Sequence, residues 1–120
     1  MAGNAFFFQR MNDHVQYLNK IKATLEGTGG FVGTDFQDCK LGKWLYNEGP
    51  AEAAAISDKA KQMFEELLEP HQRFHESSYE AVQKHLAGDS VGAEAAITEM
   101  YKLSTVLVNM LLELDKLSHS

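Results

Sequence analysis

The chain has a single cysteine, two prolines, and fewer basic residues than acidic ones, 11 against 17. One cysteine cannot close an internal disulfide, so nothing covalent staples the fold. Scarce proline leaves long helices uninterrupted. The formal net charge of −6 removes the electrostatic reason to bind DNA or RNA, and no basic stripe runs along any segment. No apolar run approaches the ~20 residues that span a bilayer, and no polybasic stretch suits anionic lipid. Met1 to Arg10 lacks the basic region and the long apolar stretch of a signal peptide. These absences make the cytoplasm the expected compartment, where a lone thiol stays reduced and open to metal.

The 120 residues suffice for one domain with a real core, taken as residues 1–120 with the core over about 5–117. No stretch of alternating β-branched residues reads as a strand, and helix formers dominate. From Ala5 to Glu26, Phe7, Met11, His14, Val15, Leu18, Ile21 and Leu25 recur at steps of three and four, which is one apolar helical stripe. Gly27-Thr28-Gly29-Gly30 ends it. Thr34 or Asp35 can cap a short helix beginning near Phe36 and carrying Cys39. Asn47-Glu48-Gly49-Pro50 reads as a turn. A long helix follows from Ala51 or Ser57 to Leu86, with Pro70 inside it as a kink just before His71. Gly88-Asp89-Ser90 closes that helix and caps the last, Val91 to Leu117, whose seam includes Met100, Leu103, Leu107 and Leu114. The expected fold is all-α, an antiparallel four-helix bundle with one short helical segment carrying the cysteine.

Cys39 and three histidines, His14, His71 and His75, form a set of one sulfur and three nitrogens, the coordination number that a closed tetrahedral Zn2+ site takes. His71 and His75, four residues apart on a helix, share one face about 6 Å apart along the axis. His14 lies on a core-facing stripe of another helix. The bland reading stands beside this one: a histidine on an apolar face is commonly a hydrogen-bonded core residue, and a lone cysteine a small buried hydrophobe. His85 is about three turns beyond His75, too far for the same ion, and His119 falls in the C-terminal tail.

Cys39-Lys40-Leu41-Gly42-Lys43-Trp44, with His14 upstream and His71-Gln72-Arg73-Phe74-His75 downstream, resembles the chemoreceptor zinc-binding domain family from about Phe7 to Leu114. The resemblance implies a bacterial cytoplasmic regulatory domain with a zinc site of His14, Cys39, His71 and His75. It implies attachment to a chemoreceptor signalling domain or a diguanylate cyclase, and sensing of zinc, of oxidants such as hypochlorous acid, or of both. It also implies an acidic residue that tunes the thiol. Asp35, four residues before Cys39, and Asp38, next to it, are the candidates. Trp44 and Leu41 read as core residues, and Gly42 as a point of close helix approach.

A homodimer is expected, through the crowded Phe6-Phe7-Phe8 turn or the final helix. Four protein ligands leave zinc no open position for substrate, so a sensor module rather than an enzyme is expected. The alternatives are a metal-stabilised structural or dimerisation bundle and a metallo- or thiol hydrolase. His75-Glu76-Ser77-Ser78-Tyr79 begins like a zinc-protease helix but has Tyr79 where the second histidine would stand.

Overall fold

Caps and glycines divide the described residues into five helices. The computed structural model describes residues 7–119 and contains α1 (Phe7–Leu25), α2 (Lys40–Leu45), α3 (Gly49–Ile56), α4 (Asp58–Leu86) and α5 (Ser90–Ser118). Among the described residues there is no strand. The architecture is all-α, an antiparallel four-helix bundle in which three long helices are completed by the short pair α2 and α3, with Cys39 at the head of α2.

In α1, Phe7, His14 and Ile21 are buried and Met11, Leu18 and Leu25 pack beside them. Val15 departs from the expected stripe and is 37% exposed. The inward face is more polar than the apolar pattern suggests, because Asp13, Tyr17 and Thr24 are buried on it too. Ala5 and Phe6, which the sequence reading assigned to this helix, lie outside the described residues.

The short helices correct two expectations. No helix begins near Phe36: α2 starts at Lys40, and Cys39 is its N-cap rather than a residue within it. Asn47 to Pro50 is a turn only in its first half, since Gly49 and Pro50 already open α3, where proline's missing N–H costs nothing. The helix expected from Ala51 or Ser57 begins at the later boundary. Ser57 is extended (φ −175°, ψ 166°), and its hydroxyl accepts from the Ala60 N–H at 3.0 Å, which ends α3 and caps α4.

From there α4 runs unbroken through Pro70 and buries Phe64, Leu67, His71, Phe74, His75, Ser78 and Val82 along one face. Gly88, at φ 80°, turns the chain back so that the Asp89 N–H reaches the Lys84 carbonyl at 2.9 Å. Asp89 then caps α5 through the Gly92 N–H at 2.9 Å. Met100, Leu103, Leu107, Leu111 and Leu114 line the seam of α5. Trp44 locks α2 onto the bundle: its ring meets Phe7 and Phe64 edge-on, at 5.7 and 5.5 Å between centroids, and its indole N–H donates to Glu52. Leu41 and Leu45 are each 1% exposed beside it and contribute on the order of 2 kcal/mol each by burial. This docking of a six-residue helix carries Cys39 to the face of α4.

Candidate metal centre

Three side chains converge where α2 meets α4. The ligand atoms of Cys39, His71 and His75 lie within 4.8 Å of one another, and all three residues are buried. Cys39 Sγ stands 3.4 Å from His71 Nε2. Two ligands on one tetrahedral zinc, at about 2.3 Å for sulfur and 2.0–2.1 Å for nitrogen, are about 3.6 Å apart, so this edge already has the required span. The widest pair needs a closure of about 1 Å to match it.

Each side chain is held by local structure. As the N-cap of α2, Cys39 Sγ accepts the Gly42 N–H at 3.2 Å, so the sulfur is aimed at α4 by its own backbone. Gly42 serves this turn rather than a contact between helices, because a Cβ there would land on the Phe36 carbonyl oxygen. The loop after α1 positions His75. Tyr17 accepts from the Thr34 N–H at 3.0 Å, and the Thr34 carbonyl accepts from His75 Nδ1–H at 3.1 Å. That bond fixes the tautomer and leaves the Nε2 lone pair free for a metal. His71 is fully buried with Nδ1 lacking any hydrogen-bond partner. An ion held at Nε2 leaves Nδ1 as it is, so the fit rests on the donor set itself: one sulfur and two buried imidazoles whose ligand atoms already face one another, the set that zinc selects.

His14 stands apart from this trio. It is 2% exposed and packs on Phe74 at 4.6 Å between ring centroids. Its Nε2 is bonded to Ser104 Oγ on α5 at 2.9 Å. It is near enough for its charge to disfavour protonation of His71. Of the two carboxylates singled out in the sequence, Asp35 is exposed, accepts from the Phe36 N–H at 2.7 Å and acts on His75 through its charge. Asp38 is exposed and lines a cleft of about 330 Å³ that reaches Cys39. Sequence reasoning missed Asp13. It is 8% exposed, is held by Arg10 at 3.2 Å and Gln9 at 3.0 Å, and lines the same cleft. The only signal was its place next to His14. Tyr17 and Ser104 were missed because they act through contacts distant in sequence. His85 is exposed, and His119 pairs with Asp115 at 3.4 Å, both away from the cluster. Tyr79, at the second histidine's position of the protease-like stretch, is 61% exposed and no part of the trio.

Burial sets the protonation states. It lowers His71 to about 3, helped by the neighbouring His75 and His14, and lowers His14 to about 4, helped by His75. It lowers His75 to about 4 against the pull of the Thr34 bond and the Asp35 charge. All three are therefore neutral donors at pH 7. Burial pushes the Cys39 thiol up; the Gly42 and Leu41 N–H groups oppose this and the Asp13 charge adds to it. Metal-free Cys39 is thus a thiol whose proton leaves when metal binds.

A pH dependence follows for the metal-free protein. The unfolded histidines take up protons near 6.5 while the folded ones stay neutral to about 4 or 3. The unfolded state binds more protons across that window, so stability is full above about 6.5 and is lost as pH falls. In urea unfolding of chelated protein, the loss between pH 7.5 and 5 should exceed about 1 kcal/mol. Equal midpoints at the two values would contradict it.

A helical bundle with a buried Cys/His/His cluster able to hold a metal ion places the protein in the class of metal-binding helical bundles. The family model of the chemoreceptor zinc-binding domain matches residues 14–82, more than half of the chain, and the chain belongs to that family. The match takes in the Cys39 turn and the α4 histidines and stops before α5. No curated protein and no solved structure matches the chain. Among the described residues no helix is long and apolar enough to cross a membrane.

Proposed function

We infer that residues 1–120 form one cytoplasmic sensor module that holds a single Zn2+ through His14, Cys39, His71 and His75. In this reading the module reports oxidant, zinc availability or both to a chemoreceptor signalling domain or a diguanylate cyclase in the parent protein. It is a binding module rather than an enzyme. The observation that carries the reading is the convergence of Cys39, His71 and His75 within 4.8 Å at the head of a six-residue helix. His14 is added as the fourth ligand because it is buried, neutral and electrostatically linked to both α4 histidines. Bound zinc would keep the Cys39 sulfur as a thiolate at neutral pH.

The thiolate of Cys39 reacts with hypochlorous acid to give a sulfenic acid and chloride. An S–O bond forms, the O–Cl bond breaks, and two electrons pass from sulfur to chlorine. Support for access comes from the cleft of about 330 Å³ that Cys39 lines together with Lys20 and Lys40. A sulfenic acid is a weaker ligand than a thiolate, so α2 loses its hold on α4 and Trp44 shifts with it. Mass spectrometry of zinc-loaded protein during hypochlorous acid titration tests this. Cys39 should gain oxygen before the methionines and release zinc in step; methionine oxidation running well ahead would remove the redox role. One observation favours a second reading, a metal-stabilised structural or dimerisation bundle: Cys39 is only 8% exposed. In that case zinc stays bound throughout the titration.

The module acts as a two-fold homodimer. Phe8 is 58% exposed while Phe7 is buried, and Val15 follows Phe8 by seven residues on the same face of α1. Val106 and Tyr101 add exposed apolar surface on α5. Light scattering should give twice the chain mass, and Phe8→Glu should halve it. A monomer mass for wild type at high concentration would end the dimer proposal.

A further inference from the structure

A second cleft, of about 480 Å³, opens between α4 and the loop before α2. Tyr17, Phe36, His75 and Tyr79 supply four rings to its walls, and Asp35 and Glu76 supply two carboxylates. The remaining lining is mostly aliphatic or backbone, and no lysine or arginine is among it. Tyr79 lies one turn beyond His75 on α4 and is 61% exposed, so its ring is open to a ligand entering the cleft. The cations this chain places over rings sit elsewhere, Arg10 over Trp44 and Lys20 over Phe31. The volume falls within the range of small-molecule sites.

We propose that this cleft binds an organic monocation, a quaternary ammonium or an amine bearing apolar substituents. Ring faces attract a cation held over them, and the attraction grows as the site sheds water. Asp35 and Glu76 set the sign of the charge. Even with a divalent ion on the Cys39 thiolate, which leaves one net positive charge nearby, the two carboxylates keep the local sum negative. A bare divalent metal suits the cleft poorly, since its walls offer rings and aliphatic carbon in place of a cage of oxygens. A neutral apolar ligand would fill the walls but gain nothing from the negative charge of Asp35 and Glu76. Thr34 connects the two sites, because it lines this cleft and its carbonyl holds His75.

The test uses the purified full chain and benzyltrimethylammonium as probe. The Tyr79 and Phe36 ring protons should shift in NMR spectra and saturate at one probe per chain. Choline should bind at least tenfold more tightly than its uncharged isostere 3,3-dimethylbutan-1-ol. Tyr79→Ala should weaken benzyltrimethylammonium about tenfold, and Tyr79→Phe should restore it. Asp35→Asn with Glu76→Gln should weaken binding and flatten its salt dependence. Asparagine keeps an oxygen for the Phe36 N–H, and Tyr79 and Glu76 are exposed, so the fold survives these changes. Equal affinity for choline and its isostere would overturn the proposal. So would unchanged binding in both Tyr79→Ala and the double carboxylate variant.

Discussion

His71→Ala should abolish the part of the thermal stability that depends on zinc. His71 is fully buried, and its Nε2 faces the Cys39 sulfur at 3.4 Å. A metal that binds only the folded chain stabilises it by about 4 kcal/mol when present at a thousand times its dissociation constant. For a domain of this size that is on the order of 15 °C in Tm. Chelation of wild type should therefore lower Tm by about that amount, and chelation of His71→Ala should change it little. The variant also loses packing against Phe36 and Tyr46, whose rings lie 6.5 Å away, so its absolute Tm falls as well. The chelator-sensitive increment is the quantity that separates these effects. His85→Ala, on an exposed residue, should keep the full increment. A full increment in His71→Ala would show that the ion, if bound, sits elsewhere.

Gly42→Ala should be nearly as damaging, against the ordinary helix preference for alanine of about 1 kcal/mol. The added Cβ lands on the Phe36 carbonyl oxygen and comes within 3.3 Å of Cys39 Sγ. Phe36 and Gly42 are both backbone at this point, so no flexible side chain can yield. Either the turn before Cys39 opens or the first turn of α2 moves. Both break the 3.2 Å bond from the Gly42 N–H to the sulfur. A loss of about 1–3 kcal/mol is expected in denaturant unfolding, with zinc affinity at least tenfold weaker. Gly30→Ala is the control, because a Cβ there meets nothing within 4 Å. Neutral behaviour of Gly42→Ala would mean that the Cys39 turn relaxes freely and does not aim the sulfur.

The long helices were legible because their signal is local and repeated. Phe64, Leu67, His71, Phe74, Ser78 and Val82 keep the 3.6-residue rhythm of α4, and the structure buries all of them. The rhythm could not fix where the short helices begin. α2 has six residues, too few for a period, and its start depends on a cysteine acting as a cap, which is not among the usual capping residues. Ser57 is one of the two starts that the sequence allows for α4, and its hydroxyl on the Ala60 N–H decides for it over Ala51.

For the site, the residue types and the i, i+4 spacing of His71 and His75 came from the sequence alone, as did the family pattern around Cys39. Asp13 was invisible because a charged residue on an amphipathic helix normally faces water. Here Arg10 and Gln9 satisfy it and allow its burial.

The sequence by itself determined the helical class, the single thiol and the set of imidazoles, since composition and periodicity are properties of the chain. Only the tertiary structure decided which donors meet. Cys39 and His71 are 32 residues apart, and they come together because Trp44 and Leu41 dock α2 on the bundle. Tertiary contacts also gave His75 its tautomer, through Thr34, and engaged His14 with Ser104, 90 residues away. Hydrogen-bond partners and burial are set by long-range packing, and no local pattern encodes them.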